Sequence, residues 1–342
     1  MKPVSDAWRP SCSTQMLHVR AKMLSSIRRF FRDYGYLEVE TPCLSRDIVL
    51  DAWLEPFAID VRGERWFLQT SPEAHMKRLL ASGVGSMFQI SRVFRQNERG
   101  DRHNSEFTMI EWYGVGSNWL EQLEVTEALV RTATAAAAAL TGRDVAAQWS
   151  REAFQQTTYA AAFQRAFEID VFSCSGSQLV ETAGNYGVAL PADMRDDRID
   201  DVLNVMLAFA IEQQLGGPSE DGRVRPEFLC DYPPSQAALA VVSETDPQVA
   251  RRFELYVQGL ELCNGYQELT DEVELQRRDA VQNQRRIGEQ SPKLPGAPRL
   301  LAAMQSGLPP CSGVALGFDR LVMLATEHRD IREVLPFPEN IA

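Results

Sequence analysis

The chain has 342 residues, 44% of them apolar, and its 35 basic and 47 acidic side chains give a formal net charge of −12. That balance argues against a broad, non-specific grip on phosphate backbones, which needs a basic face. No run of 18 or more apolar residues offers a membrane span, the start lacks a secretory core, and the six cysteines stand singly without a C-x-x-C pair. The expectation is a globular cytoplasmic protein with reduced thiols and no membrane partner.

Leu17, Ala21, Leu24, Ile27 and Phe31, with arginines between them, give residues 14–34 the period of an amphipathic helix that Gly35 ends. YLEVETPCL (36–44) alternates like a strand, with Pro42 stopping its pairing at an edge or an interface. WFLQT (66–70) reads as another strand. Ser71, Pro72 and Glu73 then open a helix as N-cap, first-turn proline and acid at the positive end.

The stretch MFQISRVFRQNERGDRHNSEFTMIEWY (87–113) alternates at both flanks and is polar between them, so it reads as two antiparallel strands joined by a long loop. On the second strand Phe107, Met109, Glu111 and Tyr113 share one face, and Thr108, Ile110 and Trp112 the other. Arg95 ends the first strand, and the loop adds Glu98, Arg99, Arg102, His103 and Asn104, a cluster suited to a polyanion. A long alanine-rich helix is expected at 120–140, short helical pieces with polar loops at 141–199, and a helix at 202–215 closed by Gly216, Gly217 and Pro218. About 145–225 reads as a mainly helical insertion into a single domain spanning 1–342.

Residues 228–230 and 237–242 flank a turn containing Pro233 and Pro234, and 252–269 reads as a long strand region carrying Glu254, Glu261 and Glu268 at intervals of seven. Three acids in an apolar stretch are costly unless they meet metal or cationic ligands. Residues seven apart in a regular strand face opposite sides, so all three converge only through a bulge, for which Gly259 or Gly265 is the natural place. Without one, Asn264, Tyr266 and Glu268 share a face and Glu261 takes the other. A charged helix follows at 270–288. CSGVALGFDRLVMLATEH (311–328) then reads as a strand, a glycine-relieved close approach and a helix carrying Arg320 in its first turn, which puts a guanidinium beside a ligand. Neither a P-loop nor a dinucleotide fingerprint occurs.

These blocks, in this order, resemble the three signature motifs of class II aminoacyl-tRNA synthetases. RHNSEFTMIEWY (102–113) and ELCNGYQEL (261–269) are similar to the lysyl branch, and the resemblance runs from about residue 12 to the C-terminus. It implies an α+β fold, an antiparallel sheet flanked by helices. Lysyl synthetases carry an OB-fold anticodon-binding domain ahead of the catalytic one, whereas the first motif starts here almost at residue one. The resemblance then points to stand-alone paralogues that acylate a protein. It implies ATP-dependent activation of a lysine-like acid, (R)-β-lysine, as an acyl-adenylate and its transfer to a lysine side chain of elongation factor P. A homodimer is implied and no tRNA partner is expected. A catalytically silent synthetase-like subunit and a truncated lysyl-tRNA synthetase are the alternative readings.

The same resemblance distributes roles. Arg95 would bridge the substrate carboxylate and the α-phosphate, His103 and Arg320 would meet the outer phosphates with Arg320 also able to lie against the adenine, and Phe107 would stack on the other base face, with Asn104 bonding the adenine edge or nearby backbone. Gln96, Asn97, Leu262 and Gly317 complete the implied nucleotide site, with Asn97 near where the family normally places an acid. Glu261, with Glu254, is the implied Mg²⁺ ligand set. Glu73 and Glu111 fall to the α/β-amino end of the amino-acid pocket and Glu268 and Tyr113 to the distal ammonium, with Ser71, Pro72 and Asn264 also among the substrate-binding residues. Ala315 adds a methyl to the pocket floor where lysyl enzymes usually have glycine.

Overall fold

In the computed structural model, residues 8–192, 194 and 196–342 are described. They fall into two compact units, one made of the residues up to Ala147 with those from Glu268 onward, the other of Gln148–Gln267.

The first unit opens with α1 (Thr14–Asp33), where the Ser13 hydroxyl accepts from the Met16 N–H. β1 (Leu37–Glu38), β2 (Leu44–Ser45), β3 (Ala58–Val61), β4 (Glu64–Leu68), α2 (Glu73–Ala81), β5 (Met87–Phe94), β6 (Glu106–Val115) and α3 (Trp119–Thr141) follow. The second unit contains β7 (Gln155–Thr158), α4 (Tyr159–Phe167), α5 (Gly176–Asn185), α6 (Ile199–Met206), β8 (Glu227–Tyr232), β9 (Ala250–Val257) and β10 (Leu260–Gln267). The chain then returns to the first unit as α7 (Glu272–Gly288), α8 (Pro298–Gly307), β11 (Cys311–Gly317) and α9 (Phe318–Thr326). Among the described residues no helix is long and apolar enough to cross a membrane.

In the first unit β1 runs parallel to β5, and β5 with β6 and β6 with β11 are antiparallel. A smaller antiparallel sheet joins β4 to β2 and β3. In the second unit β9 pairs antiparallel with both β8 and β10, and β7 lies parallel to β8. Antiparallel pairing with flanking helices is the expected α+β arrangement. Pro42 lies where the chain leaves one sheet for the other, so the strand expected over 36–44 survives only as β1 and β2.

The period-two reading of β6 holds. On one face Trp112 is paired with Phe88 of β5, and Phe31 of α1 stacks on Phe88 at 4.5 Å and tilts against Trp112 at 5.3 Å between centroids. The Trp112 indole donates to Gln122 Oε1 of α3 at 2.8 Å. Burying each such ring is worth about 1.5–3 kcal/mol, so this face fixes the sheet. The opposite face is left for chemistry.

Three expectations in the second unit change. The helix over 202–215 begins earlier, at Ile199, and ends in a widened turn over Leu207–Ile211 and a tight one over Glu212–Gln214. The long strand region is a hairpin, because Gln258 and Gly259 both take positive φ, 51° and 69°, and make a two-residue turn between β9 and β10. The bulge lies between Glu261 and Cys263, at Leu262, not at a glycine. Gly259 serves the turn, and Gly265 makes room for Phe253, whose Cε2 would lie 2.9 Å from an added Cβ.

Candidate active site

The open face of β6 carries two clusters. At one end Glu111 and Tyr113 are both 2% exposed, and the Tyr113 hydroxyl donates to Glu111 Oε1 at 2.7 Å. Ser71, in the turn before α2, donates to Glu111 Oε2 at 2.7 Å while accepting from the Glu73 N–H at 3.1 Å. Pro72, not Ser71, is the last residue before the helix, yet the Ser71 hydroxyl still satisfies the first helical N–H. Burial, reinforced by the charge of Glu73, pushes the Glu111 carboxyl up to about 8. Burial also drives the Tyr113 phenol well up, so it remains a donor.

β11 closes this cluster in register, with Gly313 opposite Tyr113 and Ala315 opposite Glu111. Directly opposed residues share a face, so the Ala315 methyl lies on the carboxylate side. Glu268 enters at the same place, its backbone N–H bonded to Cys311 O at 3.0 Å and its carboxylate accepting the Gly313 N–H. Burial lifts Glu268 to about 7 against the pull of a neighbouring ammonium. That ammonium is Lys77 of α2, which lies 2.6 Å from Glu73 Oε1 and 2.6 Å from Glu268 Oε2. Glu73 and Glu268 therefore do not stand at opposite ends of a pocket as expected. The side chain of Lys77 gathers them.

At the other end of β6 the Arg95 guanidinium sits 5.1 Å over the Phe107 ring. Its Nε donates to Thr70 O at 3.3 Å and its Nη1 to Glu98 at 3.3 Å. Residues 70–73 thus connect the clusters, with Thr70 on Arg95, Ser71 on Glu111 and Glu73 on Lys77. Arg320 Nη2 lies 2.6 Å from His103 Nε2. A guanidinium can only donate, so His103 must present a bare Nε2, and burial together with Arg320 lowers its pKa toward that neutral form. Arg320 is delivered by its neighbour: Asp319 accepts the Thr108 N–H at 2.6 Å and pairs with buried Arg20 at 2.7 Å, which pins the start of α9 to β6. Gly317, opposite Met109, precedes that helix.

Other residues of the implied nucleotide site have local duties. Asn104 donates to Glu106 O at 2.7 Å and accepts from the Glu339 N–H at 3.0 Å, so both ends of its amide are engaged. The Gln96 amide donates to Pro56 O at 2.9 Å, and Asn97 takes a left-handed turn with φ of 63°. Glu339 also binds Ser105 and Arg99, so the C-terminal segment straps the loop.

In the second unit the turn and the bulge together answer the spacing problem. Glu261 pairs with Tyr256 and Asn264 with Glu254, which puts Glu254, Glu261 and Asn264 on one face. Glu254 is saturated by Tyr232 at 2.7 Å, Tyr256 at 2.6 Å, Arg252 at 2.6 Å and Asn264 at 3.3 Å. Asn264 Oδ1 is buried without a partner among the described residues, and Leu262 is buried at the bulge. No group of three or more His, Cys, Asp or Glu poised for a metal occurs among the described residues.

A family model described as tRNA synthetases class II (D, K and N) matches residues 3–341. The chain belongs to this family. Proteins named elongation factor P–(R)-beta-lysine ligase from Enterobacter sp. (strain 638) and Salmonella schwarzengrund (strain CVM19633) are each 40% identical to it over 336 residues, which is 96% of this chain and 97% of the relative. In this class II synthetase chain, sequence reasoning missed Lys77 and the Arg20–Asp319 pair. The signals were a lysine four residues after Glu73 on a helix, and an acid immediately before Arg320.

Proposed function

We propose that the chain is an ATP-dependent, AMP-forming ligase that activates (R)-β-lysine as an acyl-adenylate and transfers the acyl group to a lysine side chain of elongation factor P. The observation that carries this reading is the buried pair Glu111 and Glu268, with half-buried Glu73 joined to them through Lys77 and Ser71, beside the β6 face that also carries the Arg95–Phe107 pair. A polyanion and an acid with two amino groups need those opposite chemistries along one surface. The names and matching lengths of the relatives support the same substrate and acceptor.

In the first step a substrate carboxylate oxygen bonds to the α-phosphorus as the bond to pyrophosphate breaks. Arg95 holds the two anions together, and Arg320, oriented by neutral His103, meets charge on the outer phosphates. Phe107 offers its face to the base. Glu261 is our candidate Mg²⁺ ligand, with Glu254 fixed on the same face; the ion supplies charge neutralisation on phosphate oxygens. In the second step the acceptor lysine amine attacks the acyl carbon, the bond from that carbon to the AMP phosphate oxygen breaks as the amide forms, and the departing phosphate takes up the amine proton. Glu73, Glu111, Glu268 and Tyr113 hold the amino groups throughout, and Ala315 narrows the floor beneath them.

We also propose that residues 1–342 act as one catalytic domain with an insertion at about 145–225. The protein would work in the cytoplasm as a homodimer through α1 and the Pro42 segment, without tRNA. Purified elongation factor P incubated with the chain, ATP and (R)-β-lysine should gain one lysyl mass. No gain, beside a working ligase control, refutes the reading. Absence of pyrophosphate exchange with every lysine isomer would instead mark a silent subunit, and charging of tRNA a truncated lysyl synthetase.

A further inference from the structure

The amino-acid pocket contains a cation of its own. Lys77 is 2% exposed, with its nitrogen 2.6 Å from a carboxylate oxygen on each side, Glu73 and Glu268. Two carboxylates that close to one point would, without it, behave as a like-charge pair in which one member takes up a proton. Stability alone does not account for the arrangement, since buried ion sets are often no better than well-packed apolar side chains. Residue choice points the same way. The chain has only four lysines among its 35 basic residues, so arginine is its default cation, and a compact ammonium fits between two carboxylates where a planar fork does not.

We propose that Lys77 is a positioning and specificity-determining residue, a resident ammonium that clamps the carboxylates of Glu73 and Glu268 and aims both of them at the substrate's amino groups. This rests on the ligase reading above. The other titratable groups facing the set are Glu111 and Tyr113 on β6 and Cys311 on β11. Burial keeps Tyr113 protonated and pushes Cys311 up to about 12, so neither supplies charge near neutrality. Glu111 accepts from the hydroxyls of Ser71 and Tyr113, and burial pushes its carboxyl up to about 8, so it is mostly neutral near pH 7.

The test is lysine-dependent pyrophosphate exchange from pH 6 to 9 by the intact enzyme and its Lys77→Met, Lys77→Arg and Lys77→Ala variants. In Lys77→Met one carboxyl of the pair is protonated at pH 7, so the KM for lysine should rise about tenfold and fall again with rising pH, about tenfold per unit below the shifted pKa. The KM for ATP should stay within about twofold. Lys77→Arg, which keeps the charge but not the fit, should share the lysine defect. Methylammonium should restore Lys77→Ala. A lysine KM and pH profile like those of the parent in Lys77→Met, parallel rises in the KM for lysine and ATP, or a folded Lys77→Ala that methylammonium does not restore would each overturn the proposal. A Lys77→Met chain that does not fold leaves the decision to Lys77→Arg, where a normal KM for lysine overturns it and a raised one supports it. If the unaltered chain shows no lysine-dependent exchange, the ligase reading itself falls.

Discussion

Replacing Gly313 by alanine should damage amino-acid binding and spare nucleotide binding. Gly313 is directly opposite Tyr113, and an added Cβ would lie 2.7 Å from Tyr113 Cδ1 and closer still to Tyr113 Cε1 and Glu268 Oε1. Ordinary carbon contacts are about 3.5–4.0 Å, so roughly 1 Å must be absorbed by neighbours. Neither can move freely, because Tyr113 is bonded to Glu111 and Glu268 to Lys77. Overpacking of this kind costs about 1–3 kcal/mol. Gly313 has no left-handed φ, so the effect is steric alone. Phe107 is six residues along β6 from Tyr113, roughly 20 Å at strand rise, beyond the reach of a one-methyl clash. Thermal denaturation should show a modest loss of stability, and exchange kinetics should show the KM for lysine up about tenfold or more with the KM for ATP unchanged. A normal KM for lysine in the folded variant would refute the placement of Glu268 and Tyr113 at the ammonium site.

Arg95→Ala should abolish adenylate formation, about 10²-fold or more in exchange rate, while circular dichroism stays native; near-normal exchange would remove Arg95 from the reaction. Ala315→Gly should raise use of α-lysine relative to β-lysine, by up to about tenfold from one methyl, and an unchanged ratio of kcat/KM values leaves that side chain with packing only. Glu111 gives a pH signature in the unliganded protein. Its folded pKa of about 8 lies above the ordinary carboxylate value, so its contribution to stability is complete below about pH 4.5 and is lost as pH rises through 8, at up to about 1.4 kcal/mol per unit. The melting temperature should therefore decline from pH 6 to 9 more steeply in the parent than in Glu111→Gln, and equal slopes would contradict the burial argument.

The sheet face was legible because the two faces of β6 do different work, Thr108, Ile110 and Trp112 facing one way with Trp112 packed against α1 and α3, and Phe107, Glu111 and Tyr113 the other, and the polar loop after Arg95 cannot be strand. Local signals also placed α1, α3 and the β11–α9 junction. Partners distant in sequence were not legible. Lys77 looks like a surface neighbour of Glu73 until Glu268, where the chain re-enters the first unit, takes its other side, and the Glu339 N–H that Asn104 accepts lies too far along the chain to be read from the loop. The hairpin turn was hidden because Gln258 in a left-handed conformation lacks the Asn-Gly or Asp-Gly signal.

The series Glu254, Glu261 and Glu268 carries the sharpest lesson, since equal spacing did not mean equal placement. A two-residue turn and one bulged residue bring the first two onto one face, against the parity of a single strand. The third lies one residue beyond β10, where the chain has already entered the first unit, and there it answers to Lys77. A buried acid is tolerable only where its charge is met, and the two sets meet theirs differently. Glu254 is met by two phenols, an arginine and an amide, whereas Glu73 and Glu268 share one ammonium between two carboxylates. The first set is closed by its own neighbours, whereas the second offers two carboxylates to one ammonium. On the proposed ligase reading, the amino groups of the substrate would be the cations that complete it.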